Sequence, residues 1–201
     1  MREIFKMVVV LSAICLVAGL LLGTVKQATL SRIEEQVLIY VQGPALKNVL
    51  KNFDNNPIAD RQQFDVGKTD TRVTVFPAIS KGCLTGVAIE GFGKGYGGDI
   101  GVMVGFDLKK DQLTGIKITT MKETPGIGTC IGKDDFTAQF FGHPLSNLAL
   151  KSQKGNIDAV SGATFSSKGA VDAVQKSANI YTTIKPEILM SWKHMKKGRS
   201  K

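Results

Sequence analysis

The sequence predicts an α+β protein: a single N-terminal transmembrane helix, then a domain whose mainly antiparallel sheet is flanked by helices. Three observations predict it. Met7 to Val25 is a run of 19 residues without a charge. Between Thr71 and Met121, four segments rich in β-branched residues follow one another at short spacing. Helical periodicity is confined to the residues before and after that stretch.

The apolar run comes first. As a helix, 19 residues rise about 28 Å, close to the ~30 Å hydrocarbon core of a bilayer. A cleaved signal peptide has an apolar region of about 7–15 residues and a small-x-small cleavage site. This run is longer and lacks a convincing site, and Cys15 lies mid-run behind Ile14, against lipoprotein processing. Residues 1–26 therefore read as an uncleaved anchor. Arg2 and Lys6 precede the run while Lys26 and Arg32 follow it, so charge discriminates little between orientations. The short N-terminal flank favours an N-in start.

Residues 27–65 read as a helical connector. Ile33, Val37 and Val41, then Leu46, Val49 and Leu50, recur at helical spacing, with Gly43-Pro44 dividing two helices. Asp54-Asn55-Asn56-Pro57 is a loop signal. The domain itself is assigned to 66–184. Its strands are TRVTVFPAI, CLTGVAIE, DIGVMVGFDL and LTGIKITTM, the last two joined through Lys109-Lys110-Asp111 as a hairpin. Helices are expected over 133–141 and 167–184, the latter with Val171, Val174, Ala178 and Tyr181 on one face. Residues 185–201 read as a basic tail, with no apolar periodicity from Trp192 onward.

Composition excludes several classes. With 43% hydrophobic and 21% charged residues among 201, general disorder is out. The 22 glycines cluster without a period of three, and no repeat of 20–50 residues occurs, which removes collagen and solenoids. Residues 185–201 hold six basic residues and one acid, so +5 of the net +9 belongs to the tail and not to a nucleic-acid-binding face. Three cysteines cannot supply the four soft ligands of an iron–sulfur cluster or a structural zinc. Redox chemistry would need an organic cofactor or a partner subunit. Cys83 and Cys130 read as two buried thiols, with a disulfide between them left open.

Three segments could carry chemistry. Gly93, Gly95 and Gly98 satisfy G-x-G-x-x-G, but the pattern leads into a strand rather than a helix, so it is not a dinucleotide fingerprint. It reads as a loop whose backbone can approach a ligand or another strand closely, or as a plain glycine-rich hairpin. Glu123-Thr124-Pro125-Gly126-Ile127-Gly128 carries Pro-Gly at the centre of a type II turn, and its backbone N–H groups could meet a planar acceptor. Asp158-Ala159-Val160-Ser161-Gly162-Ala163-Thr164 runs into a helix, where orphan N–H groups and the dipole suit an anion. Ser166 or Ser167 as an ordinary N-cap would explain that segment equally well.

Together, Gly95-Tyr96-Gly97-Gly98, the run Glu123 to Gly128 and above all Asp158-x-x-Ser161-Gly162-Ala163-Thr164 resemble the covalent-FMN G subunit of the Rnf electron-transport complex. That family is kin to the C subunit of the sodium-pumping NADH:quinone reductase. The resemblance implies an FMN-binding domain. A flavin transferase would join FMN to the Thr164 hydroxyl through a phosphoester, with FAD as donor. It assigns Ser161, Gly162 and Ala163 to the phosphate end, Glu123, Thr124, Gly126 and Tyr96 to the ring, and counts Asp158, which opens the motif, among the cofactor-binding residues. It further implies a single-pass protein of the cytoplasmic membrane with its domain on the extracytoplasmic side. There it would relay electrons among partner subunits while the complex couples ferredoxin and NAD(H) chemistry to ion export. The chain offers no nucleophile–base pair and no metal set, which makes it an electron relay within a complex and not an autonomous enzyme. The alternative is a membrane-anchored binding or scaffolding module without a redox role, its basic tail on membrane lipids.

Overall fold

The computed structural model describes residues 2–67 and 72–198, the last six of these by their backbone alone. Thr71, the expected start of the first strand, and Arg199 to Lys201 of the basic tail lie outside the described residues, as do the side chains of Lys193, Lys196 and Lys197. The chain divides into two units, Met1–Val41 and Gln42–Lys201.

The first unit is helix α1 (Arg2–Gln36), continuing into a π-helical turn over Val37–Gln42. No side chain of α1 is buried, and its most apolar window has a mean hydropathy of 2.7. The helix is therefore long and apolar enough to cross a bilayer, and it continues ten residues past the end of the expected anchor. The π turn has a local cause. Pro44 carries no N–H for the carbonyl of Tyr40, so the ladder widens just before the proline.

The second unit begins with α2 (Gly43–Val49), which has Pro44 in its first turn. Five strands follow: β1 (Gln62–Asp65), β2 (Arg72–Ser80), β3 (Cys83–Lys94), β4 (Asp99–Asp107) and β5 (Gln112–Thr120). They form one antiparallel meander in chain order. Four of them are the expected strands. β1 is additional, because its sequence, Gln-Gln-Phe-Asp, buries only Phe64.

Both faces of the sheet are covered, which is why its central strands read as nearly continuous apolar runs. On one face Val75, Val87, Ile89, Val102, Val104 and Phe106 pack with Ala170, Ala173, Val174 and Tyr181 of α4 (Thr164–Gly198). On the other, α2 buries Ala45, Leu46 and Val49 on the side of Phe76, Ala78, Ala88 and Met103. A Cβ on Gly105 would stand 2.5 Å from the Val49 carbonyl, so the end of α2 rests on bare strand backbone. Between β5 and α4 the chain makes short helical turns, including α3 (Asp134–Thr137), in place of one helix over 133–141.

Helix α4 departs furthest from the expected boundaries. It starts three residues earlier and runs to Gly198, through residues assigned to the tail. Ile188 and Trp192 are buried, and the Trp192 ring packs 5.7 Å from Phe64 of β1. The indole thus finds its partner on a strand 128 positions away, which helical periodicity alone cannot register. Midway, Tyr181 stacks on Phe106 and donates to Asp111 at 2.9 Å, and Lys185 ion-pairs with the same carboxylate. Cys83 is exposed, not buried, and the half-buried Cys130 thiol donates to the Gly126 carbonyl at 3.2 Å.

Two outcomes follow. A chain beginning at Gln42 should be recovered soluble, with a cooperative unfolding transition by circular dichroism, because the sheet and both covering helices lie within it. The hydrogen bond from Lys185, then that from Tyr181, holds the Asp111 carboxyl below its ordinary value of 3.8. A lowered folded-state value means the contribution is present above about pH 4 and lost as pH falls through the lowered value. Acid titration should therefore bring wild type and Asp111→Asn together as the pH falls through that lowered value, with wild type the more stable near neutrality.

Candidate functional site

At the end of the sheet where β3 turns into β4, three segments meet around a cleft of about 240 Å³. Tyr96 comes from the β3–β4 turn, Glu123, Thr124, Ile127 and Gly128 from the loop after β5, and Gly162 to Ser166 from the start of α4. Six of the residues singled out from sequence thus share one surface: Tyr96, Glu123, Thr124, Gly162, Ala163 and Thr164.

Two tight turns frame the cleft. The Thr124 carbonyl accepts from the Ile127 N–H at 3.3 Å, with Gly126 at φ +76°. The Val160 carbonyl accepts from the Ala163 N–H at 3.0 Å, with Gly162 at φ +75°. Each places glycine at the third position, where a type II turn requires the left-handed region. The glycines are thus demanded by the backbone itself.

Helix α4 opens directly out of the second turn. Ser166 and Ser167 are not its caps; they lie inside the first turn, buried. Ser167 Oγ accepts from the Val160 N–H and donates to the Ala163 carbonyl, both at 2.9 Å, which clamps the turn to the helix from within. Ser166 Oγ donates to Glu123 Oε2, while Glu123 Oε1 accepts from the Gly97 N–H at 3.0 Å. Glu123 is 7% exposed, so its carboxylate faces inward and joins all three segments. A Cβ on Gly128 would stand 2.7 Å from that of Glu123 and 3.0 Å from Ser166 Oγ, so the loop needs a bare backbone there.

Thr164 is exposed at the helix start. Among the described residues, the N–H groups of Thr164, Phe165 and Ser166 find no acceptor, whereas that of Ser167 bonds Ala163. Three unpartnered amides at the positive end of a 35-residue helix, beside an accessible hydroxyl, make a site able to hold an anion such as a phosphate. Tyr96 and Phe165 are 76% and 70% exposed and Ile127 50%, giving the cleft an apolar rim suited to one face of a planar ring. These residues fit a flavin mononucleotide.

Three of the singled-out residues stand apart. Asp158 lines a neighbouring depression with Cys130, Lys133 and Gln139; its carboxylate pairs with Lys151 at 2.7 Å, and its backbone is held by Gln139. Ser161 and Gly126 belong to the framing turns without lining the cleft. Sequence reasoning treated Ser166 only as a cap and gave Ile127 and Phe165 no role of their own, whereas Gly128, whose N–H it offered to a planar acceptor, does line the cleft. A serine two positions into a helix and a buried glutamate 43 residues earlier give no local signal of their pairing.

Ser166→Ala should leave Glu123 Oε2 buried without its donor, lowering stability by about 1–3 kcal/mol in urea titrations. Glu123→Gln, which retains an acceptor for Gly97, should cost less than deleting the side chain to alanine.

Residues 95–179 match the FMN-binding domain family. The chain is 30% identical over 183 residues to the G subunit of the ion-translocating oxidoreductase complex of Methanosarcina acetivorans, covering 89% of this chain and 94% of that one. It is 28% identical to the G subunit of the proton-translocating ferredoxin:NAD(+) oxidoreductase complex of Clostridium ljungdahlii, covering 90% and 94%. Among solved structures, it superposes on the C subunit of the Na(+)-translocating NADH-quinone reductase of Parabacteroides distasonis with a TM-score of 0.50 and 25% identity, over 65% of this chain and 70% of that one. A membrane-spanning helix, an FMN-binding domain and nearly end-to-end similarity place this chain in the G-subunit family of ion-translocating oxidoreductase complexes.

Proposed function

We infer that this protein is the flavoprotein subunit of an ion-translocating ferredoxin:NAD+ oxidoreductase complex, with FMN attached to Thr164 through a phosphoester. The observation that carries the reading is the position of Thr164: an accessible hydroxyl at the first turn of α4, beside three unpartnered N–H groups, on the cleft that Tyr96, Glu123 and Thr124 also line. A flavin transferase supplies FMN from FAD. The Thr164 oxygen takes the FMN phosphorus, its proton is released, and AMP leaves with the electrons of the broken pyrophosphate bond.

The bound flavin supplies one- and two-electron redox chemistry, and the chain's residues hold it. The amides of Thr164 to Ser166 take the phosphate. Gly162 and Ala163 keep the backbone close, and Ser161 completes the turn that leads to the threonine, while Asp158 braces the neighbouring segment through Lys151 and Gln139. Tyr96 and Thr124 border the ring, Gly126 holds the turn that presents Thr124, and Glu123 fixes their relative positions from beneath. α1 anchors the protein in the cytoplasmic membrane, with the domain on the extracytoplasmic side beside other subunits of the complex.

Thr164→Val is nearly isosteric but has no hydroxyl. Co-expressed with a flavin transferase, it should fold and carry no covalent flavin, while wild type gains the mass of one FMN less one water on the peptide containing Thr164. Ser161→Ala should reduce loading without abolishing it. Fluorescence of the denatured band and peptide mass spectrometry read both outcomes. Flavin persisting in Thr164→Val overturns the attachment site, and flavin-free wild type overturns the redox reading in favour of a scaffolding module.

A further inference from the structure

The opposite end of the sheet holds a second concave surface. Between the end of α2 and the β4–β5 hairpin lies a groove of about 350 Å³, lined among others by Lys51, Lys109, Lys110, Leu50, Leu113 and Phe141. It opens at the Asp107 end of β4, whereas the Thr164 cleft lies at the Asp99 end, about 27 Å away along nine extended residues.

The carboxylates nearest these lysines are already engaged. Asp107 Oδ1 accepts from the backbone N–H groups of Lys109 and Lys110 at 2.8 and 3.0 Å, which folds it into the turn. Asp111 is taken by Lys185 and Tyr181. Asp54 accepts from the Lys81 N–H and the Ser80 hydroxyl. Among the described residues, no ion pair includes Lys51, Lys109 or Lys110. The Lys51 ammonium sits 3.9 Å above the ring of Phe141, which is 61% exposed. Three lysines without carboxylate ion pairs thus line a groove that is partly apolar and whose one lining carboxylate, Asp107, is bonded to backbone amides. A bare halide would leave the apolar part wetted. A phosphate ester with an organic substituent matches both features.

We propose that this groove binds a phosphate ester, and that its physiological occupant is the headgroup of an anionic phospholipid. The chain carries its own membrane span, so anionic headgroups are present at high local concentration. Each lysine near such a headgroup contributes about fivefold in affinity.

The test is native mass spectrometry of the full-length flavinylated protein in a non-ionic detergent. It is titrated separately with dihexanoyl phosphatidylglycerol, dihexanoyl phosphatidylcholine and inorganic phosphate. Wild type should bind one phosphatidylglycerol, and phosphatidylcholine more weakly. Lys109→Gln should weaken phosphatidylglycerol about fivefold, and Lys51→Gln/Lys109→Gln/Lys110→Gln about 100-fold, with covalent flavin and melting temperature retained. Phosphatidylglycerol binding at least tenfold tighter than inorganic phosphate supports the lipid as source. Comparable affinities, with loss of both in the triple variant, support the phosphate site but assign it to a soluble ester. Binding equal in wild type and triple variant, or no binding of either ligand to wild type, overturns the proposal. Because the flavin is read in the same spectra, its absence would be scored against the function of the Thr164 cleft and not against this groove.

Discussion

Helix α4 lies on strand β3 only because three backbone positions there carry no side chain. A Cβ on Gly93 would stand 1.9 Å from the Gly169 carbonyl, and one on Gly91 would stand 2.2 Å from Ser177 Oγ and 2.5 Å from the Ala173 carbonyl. Reciprocally, a Cβ on Gly169 would meet the Lys94 carbonyl at 2.5 Å. Helix and strand therefore touch backbone to backbone. The first turn of α4 is thereby brought against the β3–β4 turn, and Thr164 comes within one cleft of Tyr96. The glycine-rich run, which resembled a nucleotide loop, serves mainly to seat this helix.

Once α4 is seated, Glu123 ties the site together. A buried carboxylate is costly unless its oxygens are satisfied, and here the Gly97 N–H and the Ser166 hydroxyl satisfy them beside the positive end of a helix. Both of its oxygens point away from the solvent side of the cleft, so the carboxylate acts as a strut. What faces outward is a threonine hydroxyl, three amide donors and an apolar rim. That set can hold a phosphorylated planar cofactor and orient it, and it leaves the electron chemistry to the cofactor.

The antiparallel meander separates the molecule's two concave surfaces by construction. Odd and even hairpin turns fall at opposite ends, so the β3–β4 turn contributes to the Thr164 cleft and the β4–β5 turn to the lysine groove. α4 spans the distance and is tied at intervals: Ser166 to Glu123 at its start, Tyr181 and Lys185 to Asp111 in the middle, Trp192 to Phe64 beyond. The same Asp111 that ties the helix is withdrawn from the hairpin lysines, so the packing of α4 is part of what leaves that end basic.

The sequence by itself determined whatever depends on near neighbours. An uncharged, apolar run of 19 residues makes a helix long and apolar enough to span a bilayer, Lys109-Lys110-Asp111 turns a hairpin between two strands, and Thr124-Pro125-Gly126-Ile127 forms its turn because only glycine adopts the required φ freely. The cluster around Thr164 was equally legible, since helix start, glycine and hydroxyl are adjacent in the chain. The tertiary structure alone decided the rest. β1 is a strand because β2 offers it an edge, although three of its four residues are polar. α4 continues past residue 184 because Ile188 and Trp192 find a core to enter. Asp158 turns to Lys151 and away from the cleft, while Ser166 reaches Glu123 across 43 residues. Helix periods and turn types are encoded by residues a few positions apart. Which buried donor meets which acceptor is settled only when distant segments compete for the same volume, as Gly93 and Gly169 do where the site is assembled.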